Sequence, residues 1–371
     1  MRATIPQLEL AEAAKWAARQ LPTTPLNPVF AGLLLTADDD GVTLSAFDGE
    51  TAVQARLDGD VTEPGRVVLS ARLLSDIAGT LGKTDVTVTT TDTDAQVETR
   101  TARFDLTVIP FNDYPTLPAP AAATGTVDGS ELAAAVARVK MAIARDAEGS
   151  FAGMSGVRLK VVGGHLELTA TDRYRIARHT IPWQGSGEGM AVVPGPVMTA
   201  NAKAFAKQTV HLSLPPTGAG SATFDAGSRQ VTTLLIDPAV FPHKLDRLNR
   251  ASQATASFDA EELAQAIKQV ITVNDGEKPV WVTFNGQHAT VRARDTGSAQ
   301  ARIEAGLEGD LDGIELAFNS RWLLDGLDVF TGRIAFDVNT PHTPGVLRDP
   351  DDDTYSYLVI PIRDPHKASA A

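Results

Sequence analysis

The sequence predicts an α+β fold made of three repeated domains, each with two helices packed on antiparallel sheets. Three observations carry that prediction. A pattern of alternating strand, aspartate, tight turn and second alternating strand is written three times, over Gly41–Val53, Gly164–Arg178 and Gln287–Ala299. Its aspartates, Asp48, Asp172 and Asp295, lie 124 and 123 residues apart, one third of the 371-residue chain, so the period fills the sequence. A chain of this length also exceeds one ordinary hydrophobic core and suits three. The period divides it into residues 1–118, 119–250 and 251–371.

The elements follow in the same order in each third. In the first, Leu10, Ala14, Ala17 and Leu21 share a helical face, and the prolines from Pro22 to Pro28 end that helix. Strands are expected over Gly32–Thr36, Val42–Phe47 and Ala52–Leu57. Ser70 is placed to cap a second helix through Leu81, with Leu73, Leu74 and Ile77 inward. Alternating Thr and Val mark strands over Thr84–Thr91, Ala95–Thr101 and Phe104–Pro110.

In the middle third, Asp128 or Ser130 precedes a helix with Leu132, Val136, Val139 and Ile143 on its core face and Arg138 and Arg145 on the opposite one. A second helix is expected over Val197–Gln208, with Lys203 and Lys207 on one face and Met198 and Phe205 on the other. Strands follow over Ser221–Asp225 and Gln230–Asp237. The last third opens a helix at Asp259 with acid in its first turn, and Leu263, Ile267 and Val270 form its core face. Asn319 or Ser320 caps the next helix through Leu327. Tyr355–Arg363 reads as the final strand and Asp364–Ala371 as a polar tail.

Composition excludes several classes. With no cysteine there is no disulfide framework and no thiolate metal site. Met1-Arg-Ala-Thr-Ile-Pro is not a signal peptide and no long apolar run spans a membrane, so the expectation is a cytoplasmic protein. The net charge of −13 divides as −8, +4 and −9 among the thirds, which makes the middle one alone basic. No two histidines stand at i, i+4, so no metal helix is expected. Gly153-Met154-Ser155-Gly156-Val157 lacks the last glycine of a nucleophile elbow. Gly185–Gly189 lacks the lysine of a phosphate loop, and Asp349–Asp353 lacks the glycine and terminal glutamate of a calcium loop. Three aspartates recurring at equal spacing suit a turn better than acid catalysis. Neither a cofactor nor a catalytic residue is expected.

Sheets this rich in hairpins leave open edges, and one free edge at each end of a three-unit chain invites a two-fold dimer with six units in a ring. Several segments, in order and at their spacing, carry a resemblance: Leu33–Leu35 with Ala46-Phe47-Asp48, Phe104–Pro115, Ser155–Leu159, Ala170–Ala177, Phe241-Pro242 and Tyr357–Arg363. The chain resembles the bacterial sliding clamps, the beta subunits of DNA polymerase III, over essentially its full length.

The resemblance implies a clamp-type fold and a homodimeric ring around duplex DNA, bound without regard to sequence. Its other partners would be the polymerase catalytic subunit, the clamp loader and further proteins that carry short clamp-binding peptides. Lys15, Arg19, Arg72, Arg138, Arg145, Lys203 and Lys207 would face DNA, since a sliding contact needs cations aimed at phosphates and no base reading. A partner-peptide pocket would comprise Met154, Thr171, Arg173, Tyr174, Ile176, Pro242, Arg247, Leu358, Ile360, Pro361, Ile362 and Arg363, an apolar groove with donors at its rim. Ile271 and Val273 would meet the edge around Leu73 and Thr101 at ring closure. Thr24 and Arg247 depart from the family pattern, where arginine and an aliphatic residue are common. The alternative is a clamp-fold variant that binds partners or inhibitors through an altered pocket with little replicative role.

Overall fold

The first third of the chain alternates short strands with two helices: β1 (Arg2–Pro6), α1 (Gln7–Ala18), β2 (Gly32–Asp38), β3 (Gly41–Phe47), β4 (Thr51–Leu57), β5 (Asp60–Glu63), β6 (Gly65–Ser70), α2 (Ala71–Thr80), β7 (Asp85–Thr90), β8 (Asp94–Glu98) and β9 (Arg103–Thr107). This is a computed structural model, and it describes residues 1–22, 25, 27–91, 93–145, 147–243, 245, 252–309, 314–340 and 343–362. Thr24, Arg247, Arg363 and the tail from Asp364 lie outside the described residues.

Leu10, Ala13, Ala14 and Ala17 bury the predicted face of α1. The Ser70 hydroxyl accepts from Leu73 N at 3.5 Å to start α2. One expectation fails here, because Leu73 is 46% exposed while Ala71, Leu74, Ile77 and Ala78 are buried. It sits about 100° around the helix from Leu74, outside the arc that meets the sheet.

The middle third contains β10 (Gly125–Asp128), α3 (Gly129–Val139), β11 (Gly156–Val162), β12 (His165–Thr171), β13 (Arg175–Pro182), β14 (Gln184–Gly185), β15 (Met190–Pro194), α4 (Gly195–Phe205), β16 (Thr209–Ser213), β17 (Ser221–Asp225) and β18 (Arg229–Leu234). Asp128, not Ser130, caps α3, with Oδ1 accepting from Ser130 N at 2.8 Å and Glu131 N at 3.1 Å. The helix stops at Val139 and tightens into a 3-10 turn over Lys140–Ala142, so Ile143 and Arg145 are not on it. Likewise α4 ends two residues before Lys207.

The last third holds β19 (Ala254–Asp259), α5 (Ala260–Val270), β20 (Pro279–Asn285), β21 (His288–Arg294), β22 (Ser298–Glu304), β23 (Gly306–Gly309), β24 (Glu315–Asn319), α6 (Ser320–Leu327), β25 (Arg333–Val338), β26 (Gly345–Arg348) and β27 (Tyr355–Val359). Asp259 caps α5 through Glu262 N at 3.0 Å, and Asn319 caps α6 through Arg321 N at 2.9 Å and Trp322 N at 3.2 Å. The final strand is shorter than its apolar run predicts, ending at Val359.

By spatial proximity the chain divides into two compact units that split the middle third between them. One comprises Met1–Ala134, Val161–Gly164 and Pro182–Ile236; the other Ala135–Lys160, His165–Ile181 and Asp237–Ala371. The first unit holds a five-stranded sheet, β5-β1-β7-β8-β9, and a nine-stranded one, β14-β10-β16-β17-β18-β4-β3-β2-β6. In the latter, β18 pairs antiparallel with β4, Val231 opposite Val53, so one sheet joins the first and middle thirds. Within the second unit the strands of the larger sheet follow the order β11-β12-β13-β27-β26-β25-β19-β23, and the smaller sheet runs β22-β21-β20-β24. There β13 pairs antiparallel with β27, with Ile176 opposite Leu358. Alternating side chains bury one face of each sheet under the helices. The second unit's core centres on Phe258, Phe284, Phe318 and Phe336, whose rings lie 5.7–6.4 Å apart in tilted and edge-on pairs and one stacked pair.

Candidate functional site

The repeated aspartate turn is where the second unit builds its most unusual surface. Asp172 Oδ1 accepts from Tyr174 N and Arg175 N, both at 3.1 Å, which closes the turn between β12 and β13. Asp48 does the same in the first third, accepting from Glu50 N at 2.9 Å and Thr51 N at 2.7 Å. The third copy differs: Asp295 Oδ2 accepts from Asp275 N at 2.7 Å, tying the turn to the segment after α5. A structural role for the aspartate accounts for all three.

What distinguishes the middle copy is charge. The Arg175 guanidinium, only 9% exposed, donates from Nε to Asp172 Oδ2 at 2.8 Å and from Nη1 to Asp325 at the end of α6. Burial pulls its pKa down, but Tyr357, Asp325 and Asp172 outweigh burial and hold it above its ordinary value. Tyr357, whose hydroxyl donates to Trp322 O at 2.7 Å, is itself pushed up by burial. The turn, the last strand and α6 are thereby locked together.

On this frame the predicted pocket residues fall into a buried floor and an exposed rim. Met154, Thr171, Ile176, Leu358 and Pro361 are buried; Pro242, Ile360 and Ile362 are half-buried. Thr171, 1% exposed, donates its hydroxyl to Arg175 O at 2.7 Å and so braces the turn from inside. Past the end of β27 the backbone is held from two sides, Ile360 N donating to Tyr174 O at 2.9 Å and Ile362 N to Ala317 O at 2.7 Å. Those two bonds fix Ile360 against the turn and Ile362 against β24. Met154 arrives on the 3-10 segment Gly149–Ser155, whose Gly153 leaves no room for a Cβ against Val240 and Phe241. The Ser155 hydroxyl donates to Ala152 O at 2.7 Å, as a turn residue does.

The rim is aromatic and cationic. Tyr174, 45% exposed, stacks on Trp322 with centroids 4.5 Å apart. Arg173 has φ of 82°, a left-handed conformation that costs an arginine roughly 1–2 kcal/mol. Its guanidinium lies 4.5 Å from the centroid of Phe151, itself 42% exposed, and 5.8 Å from that of Tyr174. Phe151 and Trp322 were not among the sequence-predicted residues. Trp322 is far away in sequence, and its only signal was an aromatic just inside a capped helix.

The predicted cationic residues are less uniform. In the first unit Lys15, Arg19, Arg72, Lys203 and Lys207 are exposed. On α1, Leu8 and Glu12 share the Lys15/Arg19 stripe at 100° per residue, so that face is not purely basic. Arg72 lies 3.8 Å from Asp76, a pair whose side chains are both largely in water and which holds the guanidinium weakly. In the second unit Arg145 is exposed, but Arg138 is half-buried. Its Nη1 lies 3.5 Å from His179 Nδ1, and its Cζ 5.8 Å from the centroid of the Tyr355 ring. The Tyr355 hydroxyl donates to Arg138 O at 3.2 Å. Burial, then Arg138, drives the His179 imidazole down to about 4, with Asp352 opposing.

Of the residues predicted at ring closure, Leu73 and Thr101 are exposed, and Ile271 and Val273 half-buried. Val273 O accepts from Thr296 Oγ1 at 2.7 Å and so positions the turn into β22. Among the described residues no helix is long and apolar enough to cross a membrane.

Three models of one family match consecutive stretches of the chain: the DNA polymerase III beta subunit N-terminal domain over residues 1–118, the central domain over 126–243 and the C-terminal domain over 246–363. The chain belongs to the DNA polymerase III beta-subunit family. Among its relatives, a beta sliding clamp of Streptomyces coelicolor is 34% identical across 95% of this chain and 97% of its own. A beta sliding clamp homolog, GriR, of Streptomyces muensis is 30% identical across 98% and 99%. Among solved structures, a sliding clamp of Pseudomonas aeruginosa bound to griselimycin superposes with a TM-score of 0.90 at 22% identity, covering 98% of this chain and all of that one. The Caulobacter crescentus pol III beta matches at 0.89 and 24%, over 98% and 100%. At those identities the two structures show the fold: three beta-subunit domains with six helices packed on antiparallel sheets.

Proposed function

We infer that the chain is a DNA sliding clamp, a non-catalytic processivity factor that acts in the cytoplasm as a homodimeric ring around duplex DNA. The observation that carries this reading is the run of N-terminal, central and C-terminal beta-subunit domains across the chain. The domains are taken as residues 1–118, 119–250 and 251–371. The exposed Lys15, Arg19, Arg72, Arg145, Lys203 and Lys207 supply the sequence-blind contact with phosphates. Arg138 contributes through the packing of its guanidinium against His179 and Tyr355.

Ring closure is assigned to two free sheet edges. β9 ends the five-stranded sheet and β22 the four-stranded one, and at seven residues β22 is longer than β24, the strand at the opposite edge of its sheet. Main-chain pairing of β9 with β22 of a second copy, in both directions, closes a two-fold ring and leaves neither edge open. Leu73 and Thr101 on one side, and Ile271 and Val273 on the other, would flank that seam. Polymerase, clamp loader and other partners dock by short peptides on the surface of Met154, Thr171, Arg173, Tyr174, Ile176, Pro242, Leu358, Ile360, Pro361 and Ile362, with Arg247 and Arg363 beside it.

Loading the protein with a clamp loader on nicked circular DNA, then linearising the circle, tests the ring. Retention on the circle and loss from the linear form is expected. Equal retention on both, or none on the circle, overturns the processivity reading in favour of the variant that binds partners without replicating. Replacing Arg145, Lys203 and Lys207 together by alanine should flatten the salt dependence of DNA association, the logarithmic slope falling by about 0.9 for each phosphate that is no longer neutralised.

A further inference from the structure

Arg173 stands out on three counts. Among the described residues it alone has a left-handed backbone without being glycine. It is an exposed residue whose guanidinium lies between the rings of two other exposed residues, Phe151 and Tyr174. And it forms no ion pair among the described residues, because the carboxylates of the turn are committed elsewhere: Asp172 and Asp325 both bind Arg175. A buried arginine thus consumes the local anions and leaves a second arginine, two residues earlier in the turn, as an uncompensated cation.

The surroundings set what such a cation can do. Arg173 is stiffened by its stacking on Phe151 and by the Thr171 hydroxyl, which accepts from its own N–H at 3.3 Å. Tyr174, the next residue, is fixed by Trp322 and accepts Ile360 N on its carbonyl. The half-buried isoleucines 360 and 362 therefore begin one residue away from an oriented, planar donor. A planar guanidinium held by aromatic faces presents its free edge to a carboxylate in two parallel hydrogen bonds, the geometry in which arginine is strongest.

We propose that Arg173 is a specificity-determining residue of the docking surface, selecting peptides that carry an aspartate or glutamate side chain next to their apolar anchors. The inference rests on the docking surface described above. Its occupant is an extended segment of a partner protein, with apolar side chains against Ile360 and Ile362 and a carboxylate on Arg173. The left-handed backbone is what aims the side chain. At a right-handed or extended position residue 173 would place its Cβ elsewhere on the turn, whereas a glycine would keep the turn and lose the cation.

The test uses the full-length protein and two fluorescent peptides, acetylated and amidated so that their termini carry no charge. Both have leucine and phenylalanine anchors; one has aspartate beside them and the other asparagine. Fluorescence anisotropy should show the aspartate peptide binding about tenfold more tightly, the worth of one charge-assisted pair, with the ratio shrinking in 0.5 M salt as screening requires. In Arg173→Gly, which suits the left-handed turn and is checked for folding by its melting temperature, the ratio should fall to about one. Arg173→Lys, which keeps the charge without the fork, should retain only part of it. Equal affinities in the unaltered protein, or a ratio that survives Arg173→Gly, overturn this inference alone. If neither peptide binds, the docking surface fails as well.

Discussion

The two places where strands from different thirds pair are built from opposite chemistry. Where β4 meets β18, the buried side-chain hydrogen bonds that cross join neutral groups, and the cations there meet a carbonyl and a ring: Arg56 Nη1 donates to Gly227 O at 3.3 Å, and the Arg229 guanidinium lies 5.3 Å from the centroid of the Trp16 ring. The Trp16 indole donates to Asn201 Oδ1 at 2.9 Å, the Asn201 amide donates to Gln20 Oε1 at 3.2 Å, and Thr51 and Thr233 share a hydroxyl bond of 2.9 Å. Asn201 is 1% exposed, so these bonds lie beyond the reach of salt. Where β13 meets β27, the corresponding positions carry Arg175 with two carboxylates, the stacked Tyr174 and Trp322, and His179 beside Arg138 and Tyr355. The same antiparallel pairing is stitched once mainly with amides and hydroxyls and once with ion pairs around a buried guanidinium. Only the charged seam opens onto an exposed aromatic surface, and the difference has a physical reason: a docking site needs fixed dipoles and cations, and a plain seam does not.

Each unit has two of the four tryptophans, Trp16 and Trp183 in the first, Trp281 and Trp322 in the second, so urea titrations of single-unit tryptophan variants can read the seams separately. The largest expected effect is Arg175→Ala, which takes a buried cation from two half-buried carboxylates and should cost the second unit about 3 kcal/mol, the low end for a broken buried pair because water still reaches both carboxylates, while hardly moving the first. Arg175→Met, filling the space without charge, should cost less than the alanine. Full recovery of stability in the methionine variant would show that volume, not charge, holds this seam.

Next comes pH. The unfolded imidazole of His179 titrates near 6.5 and the folded one near 4, so between these values the unfolded chain binds more protons. Stability of the second unit should therefore be complete above about pH 6.5 and fall as pH drops toward 4, by on the order of 1–3 kcal/mol. His179→Gln should remove that slope, and the first unit serves as the control. A slope of the same size in both units would break the contrast.

Smaller effects test the neutral seam. Trp16→Phe keeps the ring and leaves Asn201 Oδ1 without its indole donor, a cost of roughly 1–3 kcal/mol that 0.5 M salt should not change. The double change Thr51→Val and Thr233→Val removes both partners of one bond and should shift the midpoint by less than about 1 kcal/mol. A large loss there would mean that the hydroxyl pair does more than satisfy itself.

Much of this architecture was legible because local chemistry announces it. The caps at Ser70, Asp259 and Asn319 and the core stripes of α1, α3 and α5 depend on residues within one helical turn, and the triplicate aspartate marked the repeats. Failures occurred where a long-range partner decides. Apolar periodicity through Ile143 suggested a longer α3 than the chain makes, and Tyr355–Arg363 reads as one strand although pairing with β13 stops at Val359. β1 was too short to show an alternation and exists because β5 and β7 flank it. At the site, the turn, the isoleucines and Met154 were named through family resemblance, whereas Phe151 and Trp322 needed coordinates. Nothing in residues 151, 173 and 322 taken separately says that they converge. Nor does composition reveal that Arg138 lies against His179 and Tyr355 while Arg145 stays in water.

The pairing of β13 with β27 has a consequence for biosynthesis. It joins positions about 180 residues apart, and the bonds to Ile360 and Ile362 complete it. Contacts of such separation are closed slowly and late. During translation β4 and β18 find each other while the final third is still unmade, but β13 waits with an unpaired edge until residues 355–362 have left the ribosome. The docking surface thus forms only after residues 355–362 have been made, and a growing chain has nowhere for a partner peptide to bind before then.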